Sequence, residues 1–238
     1  MPSKDFVLDN NLPITIYKRK SSRHLRLSIA PSGQVRVSIP AWASYRVGLD
    51  FAKTRQAWIS DQRVTIEPLQ PGQAVGKAHH LHFMAKPAIS RISSRLADTT
   101  IIISYPTTEL FDSLDVQRVA REACIRALRR QAEQLLPQRL ASLAAVHGFS
   151  YSDVSAKRLK SRWGSCDQHG HIVLNLFLMQ LPWDLIDYVL LHELTHTRIL
   201  RHGPDFWQAM AEVLPDTPAF KKRLRDYQPI LKTTTIKD

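Results

Sequence analysis

The stretch from Leu190 to Trp207, LLHELTHTRILRHGPDFW, constrains this chain more than any other because it holds three histidines and a glutamate. His192 and His196 are four residues apart, so on a helix both imidazoles leave the same face about one turn apart. Two histidines in this arrangement can bind one tetrahedral ion, and the pattern predicts a metal-binding helix. Glu193 is better placed for a water beside the ion than for the ion itself, which is the position of a general base.

His202 is the natural third ligand, provided that the helix ends before it. Six residues of continuous helix rotate the side chain by about 240°, so His196 and His202 would otherwise point apart. Gly203 and Pro204 supply the interruption, the glycine as a C′ residue and the proline as the first residue of a following helix. The sequence therefore predicts a helix end or bend between the second and third histidine.

The residues before the histidines argue against an ordinary exposed helix. They are apolar on nearly every side of two helical turns, which is typical of a buried helix; these residues are Leu185, Ile186, Val189, Leu190, Leu191 and Leu194. Buried histidine and glutamate side chains need partners, and a metal ion would provide one.

The composition is that of a globular protein, with 238 residues, 44% hydrophobic and 23% charged. No apolar run reaches the roughly 18 residues of a membrane helix, and the first residues do not form the apolar centre of a signal peptide. We therefore expect a cytoplasmic protein without a membrane span. Cys124 and Cys166 are the two cysteines, and the absence of a CxxC pair excludes a disulfide framework and a zinc ribbon.

The charge balance favours an anionic substrate or partner. The chain has 33 Lys and Arg against 21 Asp and Glu, a formal net charge of +12. Nucleotides, nucleic acid and acidic polypeptides all carry the complementary charge. The sequence does not indicate an oligomeric state.

The N-terminal half has the alternating pattern of strands, which predicts a β meander over residues 12–39 with a turn at 31–33. A helix capped by Ser44 is expected over 45–62, and short strands over 79–84, 88–92 and 100–104. The polar positions of the meander are basic, and they form either a solvated face or an anion-binding one; they are Lys18, Arg19, Lys20, Arg23, Arg26 and Arg36. His79, His80 and His82 are either a second metal site or, more commonly for such a pattern, surface histidines.

The C-terminal half begins with a helical pattern over about 114–143, in which Pro137 is expected to bend or break the helix and Cys124 to lie in the core. Two strands joined at 167–170 follow, then the metal-binding helix, a short helix to Leu214 and a last helix over 219–227. We divide the chain into a β-rich N-terminal region (1–108), a metal-binding catalytic domain (109–230) and a tail (231–238).

Four ordered motifs resemble those of a known family: RWGSCD (162–167), HIVLN (171–175), LPWDLIDYVLLHELTH (181–196) and HGPDFW (202–207). Together they resemble the YgjP-like metallopeptidases, which are related to the SprT-like and WLM zincins, most strongly over residues 150–227. The resemblance implies an α+β fold with a zincin-like C-terminal domain, His192, His196 and His202 as ligands of zinc or another divalent transition metal, and Glu193 as the catalytic acid or base. Ile199 stands where the HExxHxxGxxH metzincins have glycine, so the turn to the third histidine must be made differently here.

The function expected on these grounds is a zinc metallopeptidase with a metal-bound water activated by Glu193. Arg162, Ser165 and Asn175, on the preceding strands, are candidates for contacts with the transition state or substrate. Glu212 or Asp205 could replace His202 as the third ligand, as in other zincin clans.

Two other functions stay open at this stage. The first is a metal-dependent pyrophosphohydrolase of nucleoside triphosphates such as UTP, an activity also reported for YgjP-like proteins. The net charge favours it, although the chain has no GxxxxGK[ST] loop. The second is a non-catalytic nucleic-acid-binding protein with a structural metal, which is disfavoured because a closed site would need a fourth protein ligand and would leave Glu193 without a purpose.

Overall fold

The computed structural model describes residues 2–9, 12–20, 22–29, 35–59, 67–159, 162–227 and 231. The predicted α+β class is confirmed, since these residues form three β-sheets and several helices. In the described part of the chain, no helix is both long and apolar enough to cross a membrane.

The first sheet contains four strands in the order β1-β2-β4-β3. The outer pairs are antiparallel and the central pair, β2 with β4, is parallel. The predicted meander is therefore wrong in its pairing, because alternation determines which side chains face the core but not which strands are neighbours. The predicted turn at 31–33 lies outside the described residues. The strands are β1 (Ser3–Val7), β2 (Pro13–Arg19), β3 (Arg26–Ile29) and β4 (Val35–Pro40).

Helix α1 (Tyr45–Thr54) covers one face of this sheet and closes a core of its own. Its N-cap is Ser44, as predicted, and the side chain accepts from the Val47 amide at 3.5 Å. The helix is interrupted at Arg55, after which 56–59 are again helical; residues 60–62 of the predicted helix lie outside the described part. Gly48 lets α1 approach closely, since a Cβ there would lie 2.9 Å from Ile39 Cγ2.

The second sheet repeats the arrangement of the first, with the order β5-β6-β8-β7 and a parallel central pair between antiparallel outer pairs. The strand predicted over 88–92 is wrong: β7 lies at 93–97 and pairs with β8 across a turn in which Asp98 has a φ of 46°. The tight turn at Asp98 sets the register between β7 and β8, and the residues that can pair with β8 are therefore 93–97. The strands are β5 (Ala74–Val75), β6 (His79–Lys86), β7 (Ser93–Ala97) and β8 (Thr100–Pro106).

Helix α2 (Leu114–His147) runs for 34 residues, past Pro137, and ends at Gly148 in the left-handed conformation. Pro137 was expected to bend or break the helix, and the helix is not broken there. Buried residues occur on several sides of α2, because it packs against the second sheet and also against the elements that carry the histidines. These parts share one hydrophobic core that extends from Leu69 to Leu231. The two cores thus divide between 59 and 69, whereas the domain division after residue 108 stays a prediction.

The remaining elements surround the histidines. The third sheet has the order β10-β11-β9, with β10 antiparallel and β9 parallel to β11, and the expected hairpin at 167–170 joins β10 to β11. Residues 232–238 of the predicted tail lie outside the described part. The elements are β9 (Asp153–Lys157), β10 (Gly164–Cys166), β11 (His171–Asn175), a 3₁₀ helix (Leu176–Gln180), α3 (Trp183–His196), α4 (Pro204–Val213) and α5 (Thr217–Asp226).

Candidate metal centre

Helix α3 ends at His196, which allows the chain to turn before His202. The end is made by local backbone bonds, from the Thr197 amide to the Leu194 carbonyl at 3.0 Å and from the Ile199 amide to the Thr195 carbonyl at 3.0 Å. Pro204 is the first residue of α4, as predicted, but Gly203 is its N-cap and has a φ of −90°. The predicted C′ role of Gly203 is therefore wrong, because the helix has already ended seven residues earlier.

The three histidines meet at one point. His202 Nε2 lies 3.0 Å from His192 Nε2 and 3.1 Å from His196 Nε2. Ligands about 2.0–2.1 Å from a tetrahedral zinc ion would be separated by about 3.3 Å, so the observed spacing is close to that of a metal site. Among the described residues these three form the group of His, Cys, Asp and Glu side chains that could hold a metal ion.

The donor atoms suit a cation chemically as well as by distance. The Ile199 carbonyl lies 3.0 Å from His196 Nδ1, which places the proton on Nδ1 and leaves the Nε2 lone pair facing the other rings. Burial, together with the neighbouring His196 and His202, lowers the pKa of His192 to about 3. Burial also lowers the pKa of His196. Neutral imidazoles with converging lone pairs are the donor set that a divalent transition metal prefers.

Two aromatic residues at the start of α4 fix the ring positions. Phe206 is fully buried, and its ring centroid lies 4.9, 4.6 and 4.8 Å from those of His192, His196 and His202. Trp207 stacks on His202 with ring centroids 5.7 Å apart. Lys221, on α5, places its Nζ 4.3 Å from the centroid of the Trp207 ring. The exposed third histidine is thereby held by packing.

Glu193 is buried beside this group, with its side chain against β10. A Cβ at Gly164 would lie 2.6 Å from Glu193 Oε1, so the strand needs glycine at the point where it passes the carboxylate. Glu193 Oε2 is buried without a hydrogen-bond partner among the described residues. Burial raises the pKa of this carboxyl to about 8, while the charge of Arg162 lowers it. A carboxyl group in this state can exchange protons near neutral pH.

A cleft of about 420 Å³ opens in front of the histidines and Glu193. Arg162, Ser165 and Cys166 line one side of it. The other lining residues beyond the site are mainly apolar or aromatic, and they are Trp163, Gly164, Tyr188, Val189, Leu200 and Leu224.

The model of a known family matches residues 23–227, and its description is "YgjP-like, metallopeptidase domain". The chain belongs to the YgjP-like family. A metal-dependent hydrolase is therefore its class of function, and the three histidines are its possible metal site.

Two solved structures are similar to this YgjP-like chain over a part of its length. One is the metallopeptidase zymogen of Pyrococcus abyssi abylysin, at 22% identity over 38% of this chain and 91% of that one, with a TM-score of 0.35. The other is the metallopeptidase zymogen of Methanocaldococcus jannaschii jannalysin, at 18% identity over 38% of this chain and 93% of that one, with a TM-score of 0.34. No curated protein sequence matches the chain.

The three residues predicted to contact the transition state or substrate do not all lie at the cleft of this YgjP-like structure. Arg162 and Ser165 line the cleft, whereas Asn175 does not. Asn175 is fully buried; its Nδ2 donates to the carbonyls of Leu159 at 3.1 Å and Arg162 at 2.7 Å, and its Oδ1 accepts from the Phe177 amide at 3.2 Å. Its amide therefore holds the backbone that carries Arg162.

The alternative metal ligands are not brought together in the described residues. His79 is buried with Nδ1 2.8 Å from Gln131 Nε2, whereas His80 and His82 are exposed on the other face of β6. Glu212 and Asp205 are exposed and do not belong to the group that could hold a metal.

Sequence reasoning assigned no role to Phe206, Trp207, Tyr188 or Gly164. The first two directly follow His202 within HGPDFW, so an aromatic pair one turn beyond a proposed ligand was a usable signal. Tyr188 precedes His192 by four residues and thus lies on its helix face. The requirement for Gly164 depends on a contact between distant segments, and no local pattern indicates it.

Proposed function

We propose that this protein is a zinc metallopeptidase in which His192, His196 and His202 hold the ion and Glu193 is the general base. One observation carries the proposal: three converging Nε2 atoms lie beside a buried glutamate in a member of a metallopeptidase family. Three protein ligands leave a coordination position open, as catalytic rather than structural zinc sites do.

The ion, when bound, would polarise a substrate carbonyl and make a nucleophilic water available near neutral pH. Glu193 takes the proton from that nucleophile and delivers it to the departing amine, since its carboxylate lines the same cleft as the histidines and its Oε2 has no hydrogen-bond partner among the described residues. Arg162 and Ser165, at the same cleft, offer hydrogen-bond donors for the carbonyl oxygen or for the substrate backbone.

The cleft suits an extended polypeptide. Its wall includes β10, which pairs with β11 on one side and is an edge strand of the third sheet. A peptide can add to such an edge through backbone hydrogen bonds while its side chains enter the cleft. Val189, Leu200 and Leu224 favour an apolar substrate side chain near the scissile bond.

The nucleotide alternative followed from the resemblance to YgjP-like proteins, and the net charge of the whole chain favoured it. Arg162 is the one cation among the described residues that line the cleft, which is little for a triphosphate. Ten of the 33 Lys and Arg lie in residues 1–59, which contain the first sheet and its separate core. We therefore propose a peptide rather than a nucleotide as the substrate.

The test combines metal analysis with activity panels. We expect about one zinc ion per chain in the wild type, loss of the ion in His202→Ala, and retained ion in Glu193→Gln. On a peptide panel, Glu193→Gln should lower kcat/KM by about 1000-fold, and a chelator should abolish an activity that zinc restores.

Glu212→Gln is the matched control, because Glu212 is exposed and outside the metal group, and it should keep wild-type activity. Undiminished activity in Glu193→Gln would overturn the catalytic assignment. Turnover of nucleoside triphosphates without turnover of any peptide would overturn the substrate class.

A further inference from the structure

The topology of the first sheet brings its positive charges to one end. The parallel strands β2 and β4 both finish at this end, and their antiparallel partners β1 and β3 both start there. Cations from three strands are thus neighbours although they are distant in sequence. They lie at the end of β2, at the start of β1, and before and at the start of β3. We call this region the basic end; its cations are Lys4, Lys18, Arg19, Lys20, Arg23 and Arg26.

These cations are available to a partner. All except the half-buried Lys18 are exposed, and none forms an ion pair with another described residue. The nearest acid along β1, Asp5, accepts a hydrogen bond from Thr15 Oγ1 at 2.7 Å. Asp9 lies at the opposite end, where it pairs with Lys53 at 3.2 Å.

The charge of this region is high for its size. Residues 1–59 contain ten Lys and Arg against three Asp, a net charge of +7 out of the +12 of the whole chain. An unneutralised field of this strength attracts polyanions.

One exposed aromatic ring, Trp42, and the half-buried ring of Tyr45 lie among these charges. Trp42 is 83% exposed and follows Pro40, the β4 partner of Arg19, by two residues. Lys18 Nζ donates to the Ala41 carbonyl at 3.3 Å, which places this ammonium group beside the indole-bearing segment. Lys18 Nζ also lies 5.1 Å from the centroid of the Tyr45 ring, and Lys4 Nζ 5.3 Å from it.

The face of the sheet opposite to α1 carries another ring, the half-buried Tyr17. Gly48 packs α1 against Ile16 and Ile39, so α1 covers the face opposite to Tyr17. Tyr17 and Arg26 both pair with Ser38, from opposite sides of β4. Tyr17 and Arg26 therefore flank Ser38 on the face of the sheet opposite to α1.

We propose that the basic end of the first sheet binds single-stranded nucleic acid. The arginines and lysines contact phosphates, and unpaired bases stack on Trp42 and against Tyr17. A single strand fits better than a duplex because only unpaired bases expose a ring face to a side chain. Guanidinium groups make planar, paired contacts with phosphate, which distinguishes them from a generally solvated lysine surface. This activity is separate from hydrolysis and does not depend on the metal centre.

The test is fluorescence anisotropy with the full chain and labelled oligo(dT) and oligo(U) of about 12 nucleotides. Binding should weaken steeply as salt rises from about 50 to about 200 mM. Trp42→Ala should weaken binding about tenfold, since stacking contributes strongly to such affinities. The double variant Arg19→Glu/Arg26→Glu should weaken it by more than about tenfold, because two phosphate contacts become repulsive.

The matched control is Lys86→Glu/Arg95→Glu, which changes the net charge equally at two exposed residues of the second sheet. It should stay within about twofold of the wild type if the location of the charge matters. Circular dichroism and denaturant midpoints verify that each variant is folded.

Several outcomes would overturn the proposal. These are the absence of oligonucleotide binding at low salt, an equal loss in the control variant, or unchanged binding by Trp42→Ala. Tighter binding to duplex DNA, or to phosphatidylcholine vesicles with about one third phosphatidylserine, would assign the surface to a different partner.

Discussion

The two four-stranded sheets of this protein have the same strand order and the same succession of antiparallel, parallel and antiparallel pairs. They differ in the helix that follows. The first sheet is followed by the ten-residue α1 and closes a small core, whereas the second is followed by the 34-residue α2.

The length of that helix explains how the second sheet, among the described residues, comes to share a core with the three histidines. At 1.5 Å per residue, α2 is about 51 Å long, far more than one small sheet can cover. The helix also packs against β9, the 3₁₀ helix and α3, which carries His192, Glu193 and His196. The second sheet, α2 and the histidines therefore share one core, and the first sheet lies outside it.

The largest expected effect is the loss of stability when a core isoleucine is truncated, and a matched pair of substitutions compares this loss in the two cores. Ile16 on β2 and Ile101 on β8 are both fully buried, and each truncation to alanine should cost about 2–5 kcal/mol. Ile101→Ala should lower amide protection in the second sheet, α2 and α3 and weaken zinc binding. Ile16→Ala should lower protection within residues 2–59 and leave zinc binding unchanged. Hydrogen exchange followed by fragment mass spectrometry measures both.

Equal loss of protection in both regions for either variant would contradict the comparison. The two sheets would then belong to one cooperative unit, and the separate cores would have no thermodynamic meaning.

A smaller effect is expected where the second core meets the carboxylate. Gly164→Ala places a methyl group against Glu193, and the displaced base should lower kcat/KM about 100-fold with metal content unchanged. Gly203→Ala is the control, because a Cβ there meets nothing within 4 Å. Steady-state kinetics on the best peptide of the panel checks this. Similar losses in both variants would mean that the contact with Glu193 does not matter.

The smallest effect concerns the attachment of α3 to α2. Arg139 forms two hydrogen bonds with Asp187, from Nε at 2.7 Å and from Nη2 at 2.6 Å. Arg139→Ala should lower the free energy of unfolding by about 1 kcal/mol, because paired guanidinium contacts exceed simple surface ion pairs. Arg118→Ala, which removes exposed ion pairs within α2, should cost less than about 0.5 kcal/mol. A denaturant titration compares them, and equal costs would assign no special role to the bond between the helices.

The sequence allowed the convergence of the three histidines to be predicted better than the pairing of the strands. The spacing of His192 and His196 is a local property of a helix, and the need for a helix end before His202 follows from the helical repeat alone. The spacing of the third histidine therefore predicted a turn that the structure contains. The turn is made by backbone hydrogen bonds after His196 and not by Gly203.

Strand pairing could not be predicted in the same way. The same alternation fits a meander and the observed order with a parallel centre, since both bury Ile14, Ile16 and Val37 on one face. Asn175 shows a related limit at the site: a polar residue near a cleft can serve the backbone instead of the substrate, and only its partners distinguish the two. Pro137 shows that tertiary packing on several sides of α2 can outweigh a local helix breaker.

The stacking of Trp207 on His202 gives the proposed metal centre an optical reporter of its own. An indole 5.7 Å from the ring of a proposed ligand lies within range for quenching by cobalt or copper. Titration with these ions should lower the tryptophan fluorescence of the unlabelled protein, and Trp207→Phe identifies the part of the signal that arises there. Metal affinities of variants can thus be ranked before any substrate is known.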